Sequence, residues 1–96
     1  MHISASAESD LAEAREWYKR IRPGLEIDLE LCIEAATQRI LENPLAFPEI
    51  LPNVHKAIIK RFPYAVIFRI RKNHIEIEAF FHGKRKPGSW IGVLKN

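Results

Sequence analysis

Apolar residues recur at helical spacing along the first part of the chain. Ala7, Leu11, Ala14, Tyr18 and Ile21 form one stripe, which Trp17 widens. Ser6 is placed to cap this helix, and Glu8 and Asp10 suit its positive N-terminal end. Pro23-Gly24 stops the pattern. A second stripe follows through Leu25, Leu29, Cys32, Ile33, Ala36 and Ile40, and Asn43-Pro44 closes it, because a residue before proline disfavours the helical region. The two segments predict an αα-hairpin joined by a Pro-Gly turn. Residues 2–5, ahead of them, read as a short edge strand.

The period then changes. Residues 44–53 hold Pro44, Pro48 and Pro52 and read as a loop crossing the domain. Val54 to Arg61 is a basic, β-branched run, interrupted by Phe62-Pro63. Tyr64 to Arg71 and His74 to His82 are two further runs around a Lys72-Asn73 turn. Pairing Arg71 with His74 brings Ile70 to Ile75, Phe68 to Ile77 and Val66 to Ala79 on one face. It brings Arg69 to Glu76 and Ile67 to Glu78 on the other, the pattern of a half-exposed antiparallel ladder. Gly83 to Asn96 reads as a basic turn and a tail that packs through Trp90. The expected architecture is α+β: an N-terminal short strand, the αα-hairpin, then a three-stranded antiparallel sheet.

The 96 residues suit one small domain, 1–96, and 47% hydrophobic content argues against disorder. The longest apolar stretch, Tyr64 to Phe68, is far too short to cross a bilayer, and the N-terminus lacks the pattern of a signal peptide. A lone Cys32 forms no internal disulfide, so a cytoplasmic location is the expectation. Charge sharpens the picture. Residues 1–54 carry five Lys or Arg against ten Asp or Glu, whereas residues 55–96 carry ten against two. An anionic partner for the basic half follows: nucleic acid, an acidic protein segment or an anionic membrane surface.

Several chemistries find no support. His2, His55, His74, His82 and Cys32 lack metal-ligand spacing, and Cys32 falls on the apolar stripe of the second helix. The four glycines are isolated, so no phosphate loop exists, and there is no Gly-x-Ser-x-Gly elbow. The acidic residues of the helices read as solvating groups in surface ion pairs. The basic strands are more informative. Lys56, Lys60 and Arg69 can share one sheet face, with His82 and Arg85 arriving where the last strand ends. Such a face could grip phosphate oxygens or, with a base and a cationic stabiliser, cleave RNA at the ribose 2′-hydroxyl. The plain alternative pairs Arg69 with Glu76 and leaves both lysines in solvent. Phe80 is a candidate for base stacking, or for the core; Trp17 and Trp90 read as packing residues.

The order of motifs resembles one family. Ala7 with Asp10-Leu11, Glu16-Trp17-Tyr18, Asn43-Pro44 with Phe47-Pro48, Arg61-Phe62-Pro63-Tyr64, and His82-Gly83-Lys84-Arg85-Lys86-Pro87 with Trp90 resemble the RelE/ParE superfamily. These are toxins of bacterial type II toxin–antitoxin, or plasmid-stabilisation, modules. The resemblance implies a cytoplasmic growth inhibitor neutralised by a cognate antitoxin, with no cofactor and no membrane partner. RelE-like members cut mRNA on the ribosome; ParE-like members block DNA gyrase. On the first pattern Lys60, His82 and Arg85 would be catalytic, in a metal-independent endoribonuclease. On either, Lys56, Lys60, Arg61, Arg69 and Arg85 would contact the target or nucleic acid. No tyrosine follows Tyr64, so the C-terminal aromatic of RelE-like members is missing and the resemblance leans to ParE. A non-toxic homologue serving as an interaction module is the remaining alternative.

Overall fold

Ser4, rather than Ser6, caps the first helix. Its hydroxyl accepts the Ala7 N–H at 3.0 Å and donates to the Glu78 carbonyl at 3.0 Å, so one side chain starts the helix and ties it to the sheet. In this computed structural model, which describes residues 1–82, α1 spans Ala5–Ile21 and α2 spans Leu25–Glu42. The turn between them requires its glycine: Gly24 sits at φ 101, and its N–H is bound by the Glu26 carboxylate at 2.7 Å. Arg15 pairs across the hairpin with Glu30 at 2.7 Å; both are well exposed, so the pair adds little stability.

Among the described residues the helices pack on one face of a sheet of five strands, not the three-stranded sheet expected. Strands β1 (His2–Ile3), β2 (Glu49–Leu51), β3 (Val54–Ile58), β4 (Tyr64–Ile70) and β5 (Ile75–His82) lie in the order β1-β5-β4-β3-β2. The two additional members are edges. β1 runs parallel to β5, pairing His2 with Glu76 and Ile3 with Ile77. β2 lies in the segment read as a loop. Pro48 and Pro52 bracket it, which an edge strand tolerates because its outer N–H groups need no partner, and the Pro48 carbonyl accepts the Lys56 N–H at 3.1 Å. Where β3 outruns β2, Arg39 of α2 donates to the Ile58 carbonyl at 3.3 Å and covers the bare edge.

The β4–β5 hairpin begins in the expected register. Arg71 donates to the His74 carbonyl, and Ile70, Arg69 and Phe68 face Ile75, Glu76 and Ile77. Beyond that the register shifts by one. Ile67 faces Ala79 and Val66 faces Phe80, with Glu78 bulged out between the two halves. Strict alternation would put Ala79 in the core and the Phe80 ring on the charged face. The bulge reverses this, and Phe80 joins the helix-side core at 2% exposure.

That core centres on Phe68, fully buried among Leu29, Ile33, Ala36, Ile40, Val66 and Ile77. His55 stacks on its ring at 5.3 Å, and Phe47 meets the ring edge-on at 5.7 Å. The His55 Nδ1 lies 2.8 Å from the Phe47 carbonyl, so this buried histidine pins the β2 loop to the sheet. Cys32 is half-buried against the same core. A smaller cluster of Val54, Ile67, Ala79 and Phe81 occupies the far face. The tail, with Arg85 and Trp90, lies outside the described residues.

Candidate functional site

The sheet divides the sequence-derived basic candidates between its two faces. Lys56 and Arg69 share the far face with Val54 and Ile67, away from the helices. Arg69 is engaged: its Nε donates to the Glu78 carboxylate at 3.3 Å. Arg69 does face Glu76 across the strands, but the bulge turns Glu78 toward Arg69. Glu76 binds Arg71 at 2.9 Å and His2 at 3.2 Å instead. The result is a ladder of two arginines and two carboxylates that fastens the β4 side of the hairpin to β5, with His2 of β1 joined to it through Glu76.

This ladder sets a pH dependence. The hydrogen bond from Arg71 holds the Glu76 carboxyl below its ordinary value of 4.5. A carboxylate held low when folded stabilises the fold at neutral pH, and that contribution disappears as pH falls through the folded value. Stability should therefore decline on acidification below the ordinary carboxylate range. Arg71→Ala should flatten this acid limb in chemical denaturation curves collected from pH 7 to pH 3; an unchanged limb would mean Glu76 does not control it.

His82 lies on the helix side. Its ring meets Tyr64 edge-on at 5.1 Å, and both line a groove of about 310 Å³ between the outer flank of α1 and the end of β5. Asp10, Glu13, Trp17 and Arg20, one helical turn apart in succession, form the α1 wall, and Phe80 forms part of the sheet wall. Trp17 is not a packing residue: it is 55% exposed, with the Arg20 guanidinium 5.9 Å from its ring. Asp10 is more than a helix-dipole partner, because its carboxylate accepts the Phe80 N–H at 3.2 Å.

Lys60 and Arg61 lie in the bend between β3 and β4, beneath the end of the helical hairpin. Phe62 anchors this bend by packing edge-on to Tyr18 at 5.1 Å. Arg61 adopts φ 72, which costs a non-glycine residue about 1–2 kcal/mol. Its guanidinium sits 3.8 Å from Asp28 of α2 and 6.0 Å from the Phe62 ring. The Tyr18–Phe62 contact brings the end of α1, whose last turn carries Lys19 and Arg20, to the bend that carries Lys60 and Arg61. The charge count by halves hid this juxtaposition of elements. The one sequence signal for it was the Arg-Phe-Pro-Tyr motif, joined to the Trp-Tyr pair of α1 by the Tyr18–Phe62 contact. Among the described residues no three His, Cys, Asp or Glu side chains converge to hold a metal ion, and no helix is long and apolar enough to cross a membrane.

The family model described as the ParE toxin of the type II toxin–antitoxin system parDE matches residues 1–87. The chain belongs to the ParE toxin family. Two curated relatives, each named Toxin ParE2, come from Mycobacterium tuberculosis strains CDC 1551 / Oshkosh and ATCC 25618 / H37Rv. Each is 30% identical over 91 residues, covering 93% of this chain and 86% of the relative. A solved structure titled as the chromosomal ParDE TA system from P. aeruginosa superposes with a TM-score of 0.73 at 18% identity, over 85% of this chain and 95% of that one, and so supports the fold. The resemblance drawn from the motifs is confirmed on its ParE side. The chain is a ParE-like toxin of a type II toxin–antitoxin module, which implies a cognate antitoxin as partner.

Proposed function

We propose that this ParE-like toxin stops growth by binding a macromolecular target, DNA gyrase by family analogy, rather than by cutting mRNA, and that its antitoxin masks the target-binding surface. The observation that supports binding over cleavage is the division of the basic candidates. His82 stands on the helix side of the sheet, Lys56 and Arg69 on the far side, and Arg69 is held by Glu78. Phosphoryl-transfer chemistry needs an acid–base group and a cation converging on one phosphate.

The test follows amino-acid and thymidine incorporation side by side, minutes after induction without antitoxin. DNA synthesis should fail first, and purified toxin should inhibit gyrase supercoiling. His82→Gln should change growth inhibition by less than about tenfold, since loss of a true general acid or base costs 10²–10⁴-fold. An immediate halt in protein synthesis, abolished by His82→Gln, would instead establish a ribosome-dependent endonuclease. Continued growth with soluble toxin present would point to an interaction module without toxicity.

A further inference from the structure

The face of the sheet away from the helices is closed, and no element among the described residues closes it. Val54, Ile67 and Ala79 are 0% exposed there, Ala65 is 5% and Phe81 8%. They form a diagonal band: Ala65 pairs with Phe81, Ile67 with Ala79, and Val54 lies opposite Arg69, two residues along β4 from Ile67. An antiparallel sheet can leave one face to water, but that face is then polar. Here it is apolar across three strands. Both helices pack on the opposite face, through Ala14 and Tyr18 of α1 and Leu29, Ile33 and Ile40 of α2. Neighbouring long side chains do not supply the cover either. Lys56 is exposed, and Arg69 is drawn aside to Glu78 at 3.3 Å. Ile50 and Leu51 reach the band from β2, where Leu51 pairs with Val54. Ile58, paired with Ala65 at the margin, is 60% exposed, so the cover stops at that edge.

We infer that this face is the docking site of the chain's own C-terminal segment, residues 83–96, which crosses it as a strap and seats the Trp90 indole over Ile67 and Ala79. The exposures are those of one chain by itself, so neither a second copy nor an antitoxin is needed to account for them. The chain leaves β5 at His82, one residue beyond Phe81, and the segment therefore starts at one end of the band. Its length suffices. Fourteen residues remain after His82 and reach about 46 Å when extended, whereas β5 and β3 are only about 10 Å apart. Its composition divides to match. Lys84-Arg85-Lys86 comes first and has no place on an apolar band; Pro87-Gly88 is a turn pair; Trp90, Ile91, Val93 and Leu94 follow it. One functional consequence follows. Anchored at Phe81 on one side and Trp90 on the other, the three cations form a closed loop instead of a free end, which lowers the ordering cost of binding an anionic partner. The inference does not depend on which macromolecule the toxin inhibits.

The experiment uses the full-length chain. In the unsubstituted protein, nuclear Overhauser effects should join the Trp90 indole to the methyl groups of Ile67 and Ala79. Effects to Phe80 and Tyr64 instead would place the indole in the α1 groove and overturn the inference. So would effects seen only between labelled and unlabelled chains in a mixed sample, which would make the occupant a second copy's segment. Fluorescence supplies an independent readout, because the chain has two tryptophans and Trp17 is exposed. In Trp17→Phe the remaining indole should emit at shorter wavelength than Trp17 does in Trp90→Phe, and acrylamide should quench it several-fold less. Equal quenching of the two would show Trp90 to be in water, against the inference. Trp90→Ala should raise binding of a hydrophobic dye several-fold and lower the urea midpoint, and Trp90→Phe should recover most of both. A Trp90→Ala chain with unchanged dye binding and midpoint would leave the face covered by something else, and the strap would be wrong.

Discussion

Phe68→Ala should remove about 3–5 kcal/mol of stability, the cost of deleting a buried aromatic ring. A chain of this size holds about 5–14 kcal/mol in total, so the variant should be partly unfolded near body temperature. The expectation rests on what surrounds the ring. Phe68 is fully buried on the central strand β4, with Leu29, Ile33, Ala36 and Ile40 of α2 on the helix side and Val66 and Ile77 beside it in the sheet. His55 stacks against it and Phe47 closes its edge, so the space left by alanine opens among elements that cannot all collapse at once. Loss of the ring also releases the support of His55, and with it the contact that holds the β2 loop. Phe68→Leu keeps most of the apolar volume and should cost less than half as much. Urea denaturation of the two variants checks this. Equal stability of Phe68→Ala and the parent would mean the core is not organised around this residue.

The same position shows why some of the fold was legible in the sequence. Helical stripes and a two-residue turn are local patterns, and local patterns specify local structure. The hairpin α1–α2, the Arg71–His74 turn and the burial of Phe68 against Ile77 follow from them. The departures need distant partners. Strands of two and three residues carry no readable period, so β1 and β2 exist only because β5 and β3 offer them an edge. The bulge at Glu78 is invisible to an alternation rule, since it is set by the competition between Ala79 and Phe80 for the core. Ser4 and Ser6 are equivalent as caps in the sequence; contact with the Glu78 carbonyl distinguishes them. The candidate site was legible only in parts. His82 lines the groove, and Lys60 and Arg61 are exposed in the β3–β4 bend. Arg69 was grouped with them by charge, yet lies across the sheet in the grip of Glu78. Trp17 was assigned to packing because its position widens an apolar stripe, and only the edge of the α1–sheet contact leaves it in solvent.

Asp10→Ala should cost about 1–3 kcal/mol and loosen the groove wall, an effect out of proportion to a half-exposed carboxylate on a helix surface. β1 accompanies β5 only as far as Ile77, and Ser4 then serves the Glu78 carbonyl. Farther along this outer edge, β5 has no neighbouring strand among the described residues, and the Phe80 N–H points to α1. Phe80 is 2% exposed, so this donor would be buried without a partner if the Asp10 carboxylate did not accept it at 3.2 Å. The bond therefore does for β5 what a sixth strand would otherwise do, and it sets the distance between the α1 flank and the sheet. A Tm fall of about 4–8 °C per kcal/mol is expected for a domain of this size. Asp10→Asn retains a neutral acceptor and should recover part of the loss. Hydrogen exchange separates this role from a general helix effect: the Phe80 amide should exchange much faster in Asp10→Ala, while the β3–β4 amides keep their order. If the Phe80 amide stayed protected, the carboxylate would not be its anchor. Because Trp17 stands on the same flank two turns along α1, the loss should also weaken whatever binds the groove, even at temperatures where the fold survives.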